Sequence, residues 1–198
     1  MIVGIILAGG ASIRMGTPKP MLTIGKETFL QHIIRSLHKV RITKTVIVLG
    51  AFSDEIQSTL SWYSGAVAVN PNWNAGQLSS LRTGVAANKS NEWHGFLIYP
   101  VDHPLVSHES LVDILHAFWT SDKNIIIPTY EGKRGHPVIF GKLIIEQLPS
   151  VSDEIGAKEL VRNNPDEILE VPVNDPGVIR NIDTPEDYQN YIQASIVC

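Results

Sequence analysis

Ile2-Val3-Gly4-Ile5-Ile6-Leu7-Ala8-Gly9-Gly10-Ala11-Ser12-Ile13-Arg14-Met15-Gly16-Thr17-Pro18-Lys19 opens the chain with an apolar run that ends in paired glycines, then passes through a hydroxyl, an arginine, a third glycine and a lysine. Residues 2–7, rich in isoleucine and bounded by glycine, read as a buried strand. The turn that follows can bring main-chain N–H groups close to an anion, because Gly9, Gly10 and Gly16 lack a Cβ and tolerate positive φ. Arg14 and Lys19 add a planar fork and a mobile point charge, both suited to phosphate oxygens. Two familiar phosphate loops are excluded by spacing, since Gly10 has no Gly-Lys-Ser/Thr partner and G-x-G-x-x-G is absent. Alone, the segment reads equally well as a Gly-rich turn carrying two solvated cations.

Outward from this stretch, apolar and β-branched runs recur at 45–49, 66–69, 95–99 and 125–128. Between them apolar residues fall at helical spacing: Phe29, Ile33, Ile34 and Leu37; Ile56 and Leu60; Leu78, Leu81 and Val85; Leu111, Ile114, Leu115 and Phe118. Nearly continuous apolar strands alternating with helices predict a three-layer α/β/α, Rossmann-like domain with a mostly parallel sheet. In such sheets ligands bind outside the carboxyl ends of the strands, so the segments from Gly9 to Lys19, Asn70 to Ser80 and Asp102 to Leu105 should converge on one edge. Past Pro128, Tyr130-Glu131-Gly132-Lys133-Arg134-Gly135 reads as a tight connection into a strand over 136–140, an antiparallel hairpin element. A short helix is expected over 157–162. Thr184-Pro185-Glu186-Asp187 has the cap, proline and acidic residue that start a final helix ending near Ser195. No repeat, low-complexity tract or linker divides residues 1–198, so one domain is expected.

Composition narrows the class of partner. At 43% hydrophobic and 18% charged, the 198 residues are those of a globular chain and not of a disordered one. A net charge of -4 provides no general attraction to nucleic acid or anionic membrane, which favours a small ligand held by local cations. The single cysteine, Cys198, excludes an intrachain disulfide and a Cys-based metal site and suits a reducing compartment. The first apolar run is short and lacks a basic segment ahead of it, so it reads as a strand and not a secretion signal. No stretch approaches membrane-spanning length, and a cytoplasmic protein is expected.

Chemistry-bearing residues cluster in the predicted loops. Asp102, between a strand and His103-Pro104, is placed to hold a magnesium ion that bridges phosphate oxygens, although a lone D-x-P is more often a turn. Asp183, just before the natural N-cap Thr184, either complements the helix dipole or joins Asp102. Gly76 to Arg82 supplies Gln77, Ser79, Ser80 and their amides near a helix start, where short polar groups can read a base edge. Capping accounts for one serine of that run. None of the seven histidines forms H-E-x-x-H; His32, His38 and His116 read as packing or surface residues, and Trp73 and Trp93 as core or rim aromatics.

Five segments, Leu7-Ala8-Gly9-Gly10-Ala11-Ser12-Ile13-Arg14-Met15-Gly16-Thr17-Pro18-Lys19, Asn74-Ala75-Gly76-Gln77-Leu78-Ser79-Ser80-Leu81-Arg82, Val101-Asp102-His103-Pro104-Leu105, Gly135-His136-Pro137-Val138 and Asn181-Ile182-Asp183-Thr184-Pro185-Glu186-Asp187, together resemble the MobA/MocA-like NTP transferases, specifically the molybdenum cofactor nucleotidylyltransferases. The resemblance covers essentially the whole chain. It implies Mg2+-dependent transfer of a nucleoside monophosphate from an NTP to the phosphate of molybdopterin or its molybdenum form, with release of pyrophosphate. The dinucleotide product would serve a molybdenum hydroxylase. Carried over residue by residue, Leu7, Ala8, Gly9, Gly10, Ser12, Arg14, Lys19, Gly76, Gln77, Ser79 and Ser80 bind the nucleotide. Lys19, Arg14 and Asp102 are catalytic, Asp102 and Asp183 hold the metal, and Gly135, His136 and Lys158 bind the acceptor. Lys158 lies in Gly156-Ala157-Lys158, which is similar to a G-A-R element of the family with lysine for arginine.

Leu7-Ala8-Gly9-Gly10 is the form of the guanylyl branch, whereas Gln77-Leu78-Ser79-Ser80-Leu81 and Gly135-His136-Pro137-Val138 look like the cytidylyl branch; CTP is favoured on that balance. Alternatives are an enzyme acting on a sugar 1-phosphate or methylerythritol phosphate, and a non-catalytic molybdenum cofactor carrier or assembly chaperone. An oxidoreductase is disfavoured by the missing dinucleotide fingerprint.

Overall fold

The computed structural model describes residues 1–89, 92–152 and 156–193. At the centre of the main sheet lies β1 (Ile2–Ala8), buried at every position. Its even-numbered residues Ile2 and Ile6 enter one core and Val3, Ile5 and Leu7 the other, which is why the run reads as continuously apolar. On one side β1 pairs in parallel with β2 (Thr45–Leu49), which pairs in parallel with the edge strand β3 (Ala66–Val69). On the other side it pairs in parallel with β4 (Gly95–Pro100). The chain therefore progresses outward from β1 to β3 and then crosses back, and the reversal falls between β1 and β4.

Beyond β4 the sheet becomes mixed. The strands β5 (Ile125–Tyr130), β6 (Lys133–Arg134) and β7 (Val138–Gly141) follow in sequence; β7 lies antiparallel between β4 and β5, and β6 hairpins back on β5. β8 (Ile168–Pro172) adds to β5 in parallel, for the order β8-β5-β7-β4-β1-β2-β3. The antiparallel element is thus where the sequence indicates it. The strand expected from 136 begins at Val138, because the His136 N–H donates to the Val178 carbonyl (2.8 Å) outside the sheet. A two-stranded ribbon, Thr23–Ile24 with Glu27–Thr28, stands apart.

Helices cover both faces. On one, α1 (Phe29–Lys39) buries Phe29, Leu30, Ile33, Ile34 and Leu37, and starts in a capping box between Thr28 and Gln31. α4 (His108–Thr120) shares that core through Leu111 and Ile114. A short α2 (Ser53–Ser58) inserts Ile56 into the same layer. On the opposite face α3 (Gln77–Ala87) contributes Leu78 and Leu81, joined by Ile144 and Ile145 of α5 (Lys142–Ile145) and Leu160 of α6 (Lys158–Asn163). Gly84 lets α3 lie against the sheet, since a Cβ there would stand 2.7 Å from Ile5 Cγ2. The final helix, α7 (Pro185–Tyr188), widens into a π turn over Gln189–Gln193; its expected end near Ser195, like Cys198, lies outside the described residues.

Two elements depart from expectation. The apolar run at 66–69 predicts a buried strand, yet as the sheet edge β3 is largely exposed. β8 has no sequence expectation behind it, because a half-buried edge strand shows no continuous apolar run. Among the described residues no helix is long and apolar enough to cross a membrane.

Candidate active site

A cleft of about 640 Å3 opens where β1 and β4 end, bordered by the three loops that the strand order predicts to converge. Gly9 lies back to back with Gly50: a Cβ on Gly9 would meet Gly50 N at 3.1 Å, and the Ala51 N–H donates to the Gly9 carbonyl (3.0 Å). Gly10 faces open space instead. Of the three loop glycines only Gly16 uses positive φ (72°), and a second left-handed position belongs to Ser12 (φ 49°). The loop thus needs Gly9 for close approach to β2 and leaves Gly10 bare toward the cleft. Ser12 closes the turn: its carbonyl accepts from the Met15 and Gly16 N–H groups and its hydroxyl from the Lys19 N–H (3.1 Å). Met15 anchors the loop in the core, while the Arg14 side chain remains 69% exposed.

The carboxylates meet on one lysine. Lys19, its side chain only 12% exposed, places Nζ 3.3 Å from Asp102 Oδ2 and also donates to Asp183 Oδ1. Arg14 Nη2 reaches Asp183 Oδ2 (2.9 Å), which also accepts from Asn181 Nδ2 (2.6 Å). A main-chain bond from Ile182 N to the Asp102 carbonyl (2.7 Å) ties the two segments together. Asp183 adjoins a helix end that has its own caps. The N-terminus of α7 is capped by Thr184 and Asp187, and Asp187 also accepts the Asp183 N–H (3.1 Å), so the Asp183 carboxylate faces the cleft. Two acids and two bases leave the cluster neutral before any polyphosphate enters.

At the third wall, Gly76 has φ 98° and delivers the chain into α3 so that Gln77 and Ser80 line the cleft. Ser79 does not line it: its hydroxyl donates to the Asn72 and Gly76 carbonyls and accepts from Asn70 Nδ2. Asn70, almost wholly buried, braces the turn by also donating to Ser80 Oγ (3.0 Å) and accepting from Asn72 N (2.9 Å). Trp73 and Asn74 complete the wall. The sequence leaves Trp73 as a core or rim aromatic, and the structure puts it at the rim, 37% exposed; Asn70 is not singled out, because a buried asparagine beside a proline carries no periodic signal.

Behind Asp102 lies a buried polar chain. His103 Nε2 stands 3.8 Å from Asp102 Oδ1, and the His103 ring leans on His136 with centroids 4.9 Å apart. Burial holds His103 below the usual histidine range, and burial together with the His103 charge pushes His136 down to about 4. Both rings are therefore neutral near pH 7. His136 and Gly135 do not line the cleft; Gly135 is pressed against the Val178 carbonyl, and Lys158 is exposed at the start of α6. Asp102 Oδ1 is buried and has no hydrogen-bond partner. An orphaned carboxylate oxygen beside a second carboxylate is a hard oxygen donor set that suits magnesium, which binds through one or two carboxylates plus substrate phosphates.

Fold and cleft together are those of a Rossmann-like protein with a ligand edge at the strand reversal, and the family match places it in the NTP transferase class. Residues 4–168 match the MobA-like NTP transferase domain, and the chain belongs to that family. It is 27% identical to a probable molybdenum cofactor guanylyltransferase of Rhodopirellula baltica, over 94% of this chain and 89% of that protein. It is 26% identical to a nicotine blue oxidoreductase of Paenarthrobacter nicotinovorans, over 93% of each. In structure it is similar to Rv0371c of Mycobacterium tuberculosis H37Rv (TM-score 0.82, 22% identity, 97% of this chain and 98% of that one), a protein also solved in complex with manganese.

Proposed function

We propose that the chain, acting as one domain over residues 1–198, transfers a nucleoside monophosphate, CMP in preference to GMP, from an NTP to the terminal phosphate of a molybdopterin-type acceptor. The observation that carries this reading is the neutral cluster at the mouth of the glycine loop, in which Lys19 spans Asp102 and Asp183. A polyphosphate presented to the Gly10 face meets loop amides and Arg14, whose exposed guanidinium can turn from Asp183 to phosphate oxygens. Lys19 then neutralises charge developing at the α-phosphate. An oxygen of the acceptor phosphate bonds to the α-phosphorus while the bond to the bridging oxygen breaks, and that electron pair leaves with pyrophosphate. The attacking phosphate is already an anion, so no side chain need remove a proton. Magnesium, held by Asp102 and Asp183, would supply Lewis-acid polarisation of the phosphate oxygens. Positioning and charge stabilisation carry the rate.

The molybdopterin-type acceptor is supported by the guanylyltransferase relative, and the CTP preference by the Gln77-Leu78-Ser79-Ser80-Leu81 and Gly135-His136-Pro137-Val138 segments. Gly135, His136 and Lys158 are proposed to act on the acceptor from outside the nucleotide cleft, and a molybdenum hydroxylase to receive the product. The experiment is incubation with each of the four NTPs, magnesium and molybdopterin, with pyrophosphate measured. Release greatest with CTP supports the full reading; equal or greater release with GTP reassigns the base; no release with any NTP overturns the transfer. A second reading, an oxidoreductase, is favoured by the nicotine blue oxidoreductase relative. It predicts a redox turnover with no pyrophosphate formed.

A further inference from the structure

On the far side of the molecule a second cavity, of about 560 Å3, lies between α4 and the connection from α1 to β2, and it shares no lining residue with the nucleotide cleft. One wall is a single face of α4: His108, Val112, Leu115, His116 and Trp119 follow the helical spacing. Two of these are large apolar side chains left in solvent, Val112 at 44% and Trp119 at 54% exposure. The Trp119 indole is not loose, for it is held edge-on by Phe118 (5.2 Å) and His94 (5.3 Å). A fixed, exposed aromatic plane is a stacking surface.

The facing wall carries Lys39, Arg41 and Lys44, and no carboxylate lines the cavity. None of these three side chains enters an ion pair among the described residues. In a chain with net charge -4 this is a local reversal of sign. The helix dipole explains part of it, since Lys39 and Arg41 stand at the C-terminal end of α1, where cations are favoured. It does not explain Lys44, five residues past that helix, nor the indole opposite. Arg41 also has φ 65°, at a position after a helix where glycine is the usual solution. Retaining a guanidinium there stores backbone strain that a glycine would relieve.

We propose that this cavity is a binding site for a planar aromatic anion, its ring stacked along Trp119 and Val112 and its negative group held by Arg41 and Lys44. The volume falls in the range of small-molecule sites. The proposal is independent of the transferase reading.

The test uses the full chain and anilinonaphthalene sulfonate, a fluorescent aromatic anion, with phenylnaphthylamine as its counterpart lacking the sulfonate. Saturable binding of the sulfonate, unaffected by saturating CTP with magnesium and roughly tenfold tighter than that of the neutral amine, is expected. Arg41→Gly with Lys44→Ala should weaken it by a further factor of about ten, and Trp119→Leu likewise. Arg41→Gly suits the left-handed backbone, so a Tm no lower than that of the wild type and an unchanged circular dichroism spectrum accompany the loss. Displacement of the probe by CTP, equal binding of the amine, or full binding by the double variant would each overturn the proposal.

Discussion

Lys19 and Asp102, 83 residues apart in the chain, meet with 3.3 Å between Nζ and Oδ2, and the same ammonium holds Asp183 from the far end of the sequence. Before substrate enters, the lysine thus sits between the two carboxylates that a divalent cation would occupy. On the proposed reading cation and lysine compete for the same two carboxylates, and an incoming polyphosphate gives Lys19 an alternative partner. On the proposed reading the electrostatics of the cleft change when nucleotide and metal arrive together.

Lys19→Met should lower kcat by about 10²- to 10³-fold, the scale of removing one stabilising donor from a transition state. It should also cost about 1–3 kcal/mol of stability, since two partly buried carboxylates lose their counter-charge. Without nucleotide, the variant should bind Mn2+ more tightly than the wild type does. Paramagnetic relaxation of water protons measures this, and weaker binding in the variant would show that Lys19 and the cation do not compete.

Gly10 and Gly9 should separate ligand contact from folding. Gly10→Ala meets nothing in the protein, so stability should stay within about 0.5 kcal/mol while KM for the NTP rises roughly tenfold or more. Gly9→Ala pushes a methyl to 3.1 Å from Gly50 N and should destabilise by about 1–3 kcal/mol. Urea denaturation and steady-state kinetics on the pair provide both readings. An unchanged KM for Gly10→Ala would place the polyphosphate elsewhere.

Asp183→Asn should remove turnover yet leave α7 intact, because the cap is made by Thr184 and Asp187 and needs only the Asp183 N–H. Thr184→Ala should do the reverse, costing about 1 kcal/mol of stability with kcat preserved. If Asp183→Asn keeps its activity, the residue leaves the mechanism.

Stability should fall between pH 6.5 and about pH 4. The His136 value of about 4 lies below the usual 6.5, so the unfolded chain binds the extra proton first; the contribution is complete above pH 6.5 and fades as pH drops through this window. Its full size is about 3 kcal/mol. His103 is shifted in the same direction and adds to the slope. His136→Gln should flatten the dependence of urea midpoint on pH, and an unaltered slope would assign it to other groups.

Much of this was legible locally. Residues 45–49 and 66–69 are strands with the expected bounds, and the helical spacing of Phe29, Ile33, Ile34 and Leu37 is the buried face of α1. The paired glycines after β1 mark a loop in the cleft, although their reasons differ: Gly9 for packing against Gly50, Gly10 for open space. Ser79 was less readable, because a serine near a helix start looks the same whether it faces a ligand or ties down its own loop. β8 has no local signal because its sidedness comes from its position at the sheet edge.

By itself the sequence determined what short-range physics encodes: the buried strands, the amphipathic helices, the caps, the glycine turn, and hence a Rossmann-like sheet with its ligand edge. Only the tertiary structure decided that Lys19 spans Asp102 and Asp183, that Asp183 lines the cleft, and that Arg41 and Lys44 share a cavity with Trp119. Periodicity and capping act over a few residues, whereas the partner of a charge is set by which distant loops the sheet order brings together.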